Sequence, residues 1–207
     1  MDDATLREAV VAERTELAAM LGELTPEQWA APSLCAGWRV REVVAHMTMP
    51  FRMSVAGFAA GMARARGNFD RMADRQARRD TERLSDAELL ASLRDNIEHP
   101  WRPPGGGVAG ALSHDVVHGL DIAVALGLDR RPPAGRVELV LDSMRERNVT
   151  YFGTDLSGVR LEADDLDWHL GDGAPLRGSA ADLLLVVCGR RVPAELLAGT
   201  PAARFSS

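Results

Sequence analysis

His114-Asp115-Val116-Val117-His118 sets two imidazoles four residues apart. On a helix that spacing puts them on one face, one turn apart, where both can reach a single metal ion. Asp121 follows three residues after His118. It falls near the same face, where a carboxylate takes a ligand histidine's free ring N–H and fixes its tautomer. A third imidazole, His46, sits next to Met47 and one turn from Val43. A histidine beside such an apolar stripe is partly buried and needs a partner. Inward residues of facing helices build the cofactor sites of helical bundles. His46, His114 and His118 therefore read as three nitrogen ligands for one divalent ion, with a coordination position left for water or substrate, as in catalytic sites. The plainer reading stands beside it: a hydrogen-bonded core histidine at 46, and one core and one surface histidine at 114 and 118.

The remaining reactive residues offer less. His99 lies in a proline-rich breaker and His169 in a short hairpin, and both read as surface or structural. Cys35 and Cys188 lack the CxxC spacing of a zinc knuckle or a disulfide framework. Cys35 precedes the helix of His46, where a thiolate is favoured, yet it reads better as a packed loop residue. The run from Arg64 to Arg83, with Arg75, Arg78 and Arg79, reads as a charged helix face or loop rather than an anion site. All 24 basic residues are arginine. A Schiff-base lysine and a P-loop lysine are thereby excluded.

These residues must be positioned by helices. With 46% apolar and 26% charged residues, the 207-residue chain has material for a packed core. A net charge of −6 disfavours nucleic acid as a partner. The charged N-terminus and the lack of an apolar run of roughly 18 residues predict a cytoplasmic protein without a membrane span. Apolar periodicity predicts a helix over 4–22, a capped turn at Thr25-Pro26-Glu27-Gln28, and a long helix over 39–66 that loosens at Pro50. Further helices are expected from Ser85 to about His99, over 108–126 and over 135–150. Short strands are expected around 159–161 and 166–170, with a helix over 180–188. The architecture expected is mainly α: a metal-binding bundle over 1–152 and a small α+β domain over 153–207.

The stretches TPEQWAAPSLCAGWRVREVVAHM, HDVVHGLDIAVALG, DLDWHLGDG and GSAADLLLVVCGRR, in that order, resemble the mycothiol-dependent maleylpyruvate isomerase family of the DinB-like superfamily. The resemblance covers nearly the whole chain. It implies a DinB-like four-helix bundle with a small C-terminal α+β appendage, and a divalent metal, usually Zn2+, on His46, His114 and His118. The better-known isomerase members carry a glutamate where this chain has His114, and the all-histidine set looks more like the wider DinB-like proteins. The resemblance implies mycothiol as cosubstrate. The enzyme expected is a metal-dependent thiol S-transferase or isomerase, in which the activated thiol attacks a small electrophile. A metal-dependent hydrolase using activated water, or a non-catalytic metal-binding module, are the alternatives. Three imidazoles suit zinc, nickel, iron or copper. A homodimer is compatible with such a bundle, although no interface stripe stands out.

Overall fold

The computed structural model describes residues 2–144 and 146–207. The chain divides into two compact units, one ending at His118 and the other beginning at Gly119. The fold is mainly helical, with a small three-stranded sheet toward the C-terminus.

In the first unit, α1 (Asp3–Gly22) starts where the Asp2 carboxylate accepts the Thr5 N–H at 2.8 Å. It buries Leu6, Val10, Leu17 and Leu21. The capping box at Thr25 and Gln28 opens α2 (Pro26–Ala30) as its sequence predicts. α3 (Val40–Arg52) buries an unbroken run from Glu42 to Met49.

The helix expected over 39–66 is two helices. Pro50 has no N–H to give the helical ladder, and α3 ends at Met53, whose backbone is extended (φ −95°, ψ 125°). The Ser54 hydroxyl then caps α4 (Val55–Arg64) by accepting the Gly57 N–H at 3.1 Å. The apolar stripe nevertheless continues across the break, because Phe58 and Met62 pack on Met49, Ala65 and Met72.

The arginine-rich stretch folds as α5 (Phe69–Thr81), which buries Met72, Ala73 and Ala77 and turns its guanidiniums outward. α6 (Asp86–Arg94) has the expected Ser85–Glu88 capping box but stops five residues short of the expected His99, burying Leu89 and Leu93. α3 packs on both α5 and α6, and α6 on α1. α7 (Gly107–Ala125) matches the expected 108–126, and the division between the units falls inside it.

The second compact unit begins at Gly119, within α7. α8 (Ala134–Ser143) belongs to it, because Val137, Val140 and Leu141 are buried and α8 packs on α10 (Ala180–Val187). Of the helix expected over 135–150, Arg145 lies outside the described residues. Met144 is extended (φ −68°, ψ 140°), so α8 ends there and α9 (Glu146–Phe152) is separate. Strand β1 (Val159–Ala163) pairs antiparallel with β2 (His169–Leu170) and parallel with β3 (Ala174–Gly178), in the order β2-β1-β3. β3 was not expected from sequence. Its Pro175 argues against a strand, but β3 lies at the sheet edge, where a missing N–H is tolerated. α10 is capped by Ser179 and buried on all sides, as a sequence apolar except for Asp182 requires.

One ion pair ties the first unit together. Arg14 of α1 is fully buried, and its Nε donates to Asp115 Oδ2 of α7 at 2.7 Å. Its Nη1 reaches the carbonyls of Asn96, Ile97 and His99, the last at 2.8 Å. Its guanidinium also lies 5.2 Å from the Phe51 ring centre. Removing one partner of a buried pair strands the other charge at a cost of about 3–5 kcal/mol. Arg14→Leu is expected to lower the stability of the first unit by that amount in urea denaturation, and Arg14→Leu/Asp115→Leu to lose less than Arg14→Leu. Equal midpoints for wild type and Arg14→Leu would show that the pair does not hold α1 to α7.

Candidate metal centre

α3 supplies His46, which is 8% exposed. α7 supplies His114 and His118 from successive turns, with their rings half-buried. The three rings form a nearly equilateral cluster. Their centres lie 5.1 Å apart for His46 and His114, 5.0 Å for His46 and His118, and 4.9 Å for His114 and His118. One ring nitrogen from each lies within 4.8 Å of the other two. Nitrogens bound at 2.0–2.1 Å to one tetrahedral ion stand about 3.3 Å apart. The donor set is chemically suited to a divalent first-row ion, being three imidazoles with no competing lysine.

Asp115 decides how His114 is presented. His114 Nδ1 lies 2.9 Å from Asp115 Oδ1. A carboxylate only accepts, so the Nδ1 carries the proton and Nε2 keeps its lone pair for the cluster. Burial alone would raise the Asp115 pKa. The hydrogen bond from His114, together with Arg14, outweighs burial and holds the carboxyl below its ordinary value. Asp115 is thus an ionised acceptor fixed from both sides.

The surrounding walls are aromatic. The Trp38 ring centre lies 5.2 Å from that of His46, Phe69 6.4 Å from His46, and Trp101 5.2 Å from His114. Trp38 is held by its own Nε1–H, donated to Asp74 Oδ1 at 2.8 Å. Cys35, read from sequence as a packed loop residue, sets its Sγ 3.7 Å from His118 Nδ1.

Asp121 is fully buried and takes both an Nε–H and an Nη2–H of Arg190, each at 2.9 Å, in a bidentate ion pair within the second unit. His99 stands outside the cluster. Its ring lies 5.0 Å from that of Phe51, and its Nδ1 accepts the Trp101 N–H at 3.2 Å. His169 is exposed on β2, opposite Glu162. Cys188 is inert, because burial pushes its thiol up to about 12.

Sequence spacing therefore brings the three imidazoles together but misses Asp115. Arguments from helical periodicity look three and four residues away, whereas this partner is the next residue. The readable signal was an acid flanked by a histidine, with one buried arginine elsewhere to neutralise it.

Residues 10–102 match the family described as the mycothiol maleylpyruvate isomerase N-terminal domain. Two uncharacterized proteins of Mycobacterium tuberculosis, one from each of two strains, are 28% identical to this chain over 220 residues, covering 89% of it and 85% of theirs. A crystal structure of a histidine-to-alanine mutant of the mycothiol-dependent maleylpyruvate isomerase superimposes with a TM-score of 0.57 at 12% identity. The match covers 98% of this chain and 94% of that one. At that identity the likeness speaks for the fold alone, a helical bundle with a small C-terminal α+β part.

Protein purified without chelator is expected to carry one divalent ion per chain by elemental analysis. His46→Ala, His114→Ala and His118→Ala are each expected to lose it, and His169→Ala to keep it. Asp115→Asn is expected to bind the ion about 10–100-fold more weakly in chelator competition. Equal metal content in wild type and all three cluster variants would remove the centre.

Proposed function

We propose, from the match of residues 10–102 to the family described as the mycothiol maleylpyruvate isomerase N-terminal domain, that this chain is a divalent-metal- and mycothiol-dependent isomerase or S-transferase acting on a small electrophile. The observation that carries the reading is the convergence of three imidazoles, one of them oriented by a buried carboxylate. His46, His114 and His118 would hold the ion. Three protein ligands leave a position for an exogenous group, which distinguishes a reactive site from a structural one. A divalent ion bound there supplies thiol activation, by lowering the pKa of a sulfur that joins it.

The chain's own residues contribute orientation and shielding. Asp115 keeps the His114 proton on Nδ1 and leaves Nε2 as donor. Arg14 occupies the second Asp115 oxygen, so the carboxylate cannot turn toward the cluster. Trp38 and Trp101, both partly buried, flank His46 and His114 and narrow the approach of water, which strengthens electrostatic interactions inside. An isomerase returns the thiol after it has added and left again, whereas a transferase leaves it in the product. A cytoplasmic location goes with such chemistry, which needs a reduced low-molecular-weight thiol. No helix among the described residues is long and apolar enough to cross a membrane.

Maleylpyruvate is the first electrophile to test, because the structural neighbour is named for it. Turnover is expected only when mycothiol is present, and is expected to vanish in His46→Ala. Thiol recovered at the end of the reaction marks an isomerase, and thiol consumed mole for mole with substrate marks a transferase. Hydrolysis at the same rate without any thiol would defeat this reading and favour a metal-activated water.

A further inference from the structure

The arginine-rich stretch has a second use in this fold. Met72, Arg75, Gln76 and Arg79 recur at three- and four-residue spacing and form one stripe along α5. That stripe lines a cleft of about 380 Å3, closed on its other sides by the end of α3, the Met53–Ser54 break and α4. The volume falls in the range of small-molecule sites. Gly57 and Gly61, one turn apart on α4, face the same space. At Gly61 the two helices nearly touch, since a Cβ there would stand 3.1 Å from Met72 Cγ. At Gly57 a Cβ would meet only Ser54 and Met53 of its own turn, so the space opens in that direction.

The lining has two chemistries. Met49, Met53 and Met72 give an apolar, adaptable surface. Arg52, Arg64, Arg75 and Arg79 bring four guanidiniums, from α3, α4 and α5. Asp80 is the acid on the lining, and both its oxygens are occupied. Oδ2 accepts from Arg52 Nη1 at 2.7 Å, and Oδ1 accepts from Gln76 Nε2 at 2.7 Å. Arg75 Nη1 reaches the Arg64 carbonyl at 3.2 Å, which neutralises no charge. The guanidiniums of Arg64 and Arg79 make no hydrogen bond or ion pair among the described residues. Three positive charges are thus left uncompensated around one concave, partly apolar space. Such a cleft concentrates anions, and guanidinium pairs bind carboxylate and phosphate in a fork-to-fork geometry.

We propose that this cleft is a binding site for a small organic dianion, with its apolar body against the methionines and its two oxyanion charges held by Arg64 on one side and by Arg75 and Arg79 on the other. The site is separate from the three-histidine cluster. Met49 and Arg52 lie three and six residues past His46 on α3, about 4.5 Å and 9 Å along the helix axis. Its occupant need not take part in the thiol chemistry proposed above, and the two readings stand or fall separately.

Calorimetric titration of the full chain with phthalate, phenyl phosphate and inorganic phosphate tests the site. The two organic dianions are expected to bind saturably and more tightly than inorganic phosphate, and binding is expected to weaken with added salt. Arg64→Gln/Arg79→Gln removes two exposed side chains without a partner to strand, and is expected to weaken binding at least about tenfold. Arg71→Gln is expected to bind as wild type does. His118→Ala is also expected to bind normally, which separates this site from the candidate metal centre. The proposal is overturned if neither organic dianion saturates, if inorganic phosphate binds as tightly as both, if Arg64→Gln/Arg79→Gln leaves the affinity unchanged, or if His118→Ala abolishes binding. Preference for phthalate over phenyl phosphate, or the reverse, identifies the occupant as a dicarboxylate or a phosphomonoester.

Discussion

The buried contact between Arg14 and Asp115 is the interaction on which the presentation of α7's histidines depends. A guanidinium taken wholly out of water is expensive unless its donors are met. Here Asp115 meets the Nε–H and the carbonyls of residues 96, 97 and 99 meet Nη1, while the buried Nη2 has no hydrogen-bond partner among the described residues and the guanidinium meets the Phe51 ring only through the cation–π contact. Such a pair adds little net stability over a well-packed apolar substitute. Its effect is geometric. Asp115 follows His114 directly, so holding Asp115 against α1 fixes the rotation of α7 about its own axis. That rotation determines where both His114 and His118 point. A helix packed through Leu112, Val116 and Leu120 alone could turn a few degrees at small cost, whereas an ion pair with one short N–O distance cannot.

α3 faces a different constraint. It must be regular at His46 and must also end soon after, because α4 packs on α5 beside the cleft. Pro50 meets both needs. Up to that point the helix is undisturbed, and from Val43 to Met49 every residue is buried. The helix runs on through Phe51 and Arg52, the chain is extended at Met53 and Ser54, and Ser54 caps the next helix. Arg52, the last residue of α3, turns back to donate to the Ala45 carbonyl at 2.8 Å and to Thr48 Oγ1 at 3.1 Å. The arginine that bounds the cleft therefore also braces the turn that carries His46.

How much of this could be read from sequence follows from the range of each interaction. The His114–His118 spacing, the Thr25 and Ser85 capping boxes and the apolar face of α7 depend on residues within one turn, and the sequence displays them directly. His46 joined the set only as an inference from burial, and the family resemblance strengthened it. What was missed depends on distant partners. Asp115 is an ordinary helical acid until Arg14 is placed beside it, 101 residues away in sequence. Trp38 and Trp101 are loop aromatics until the fold sets them against His46 and His114. The break at Met53 is local, but the apolar periodicity of the sequence runs through it, since Phe58 and Met62 still pack on Met49 and Met72 even though Val55 is exposed. β3 is concealed by a proline that only an edge strand accepts.

Were His46, His114 and His118 to hold the proposed ion, the charges around the cluster would do what a carboxylate ligand does elsewhere. Three neutral imidazoles leave a divalent ion its full charge of +2, whereas a carboxylate ligand would cancel one unit of it. On the proposed ion that extra charge would favour an anionic sulfur, and it would be harder to retain in a half-buried site. Asp115 supplies the missing negative charge one bond network farther out, through the His114 ring, and a histidine donating to a carboxylate is a stronger base toward a metal. Arg14 then limits that effect by sharing the same carboxylate. The negative charge thereby moves from the ligand itself to the residue behind it, where it supports the donor and occupies no coordination position.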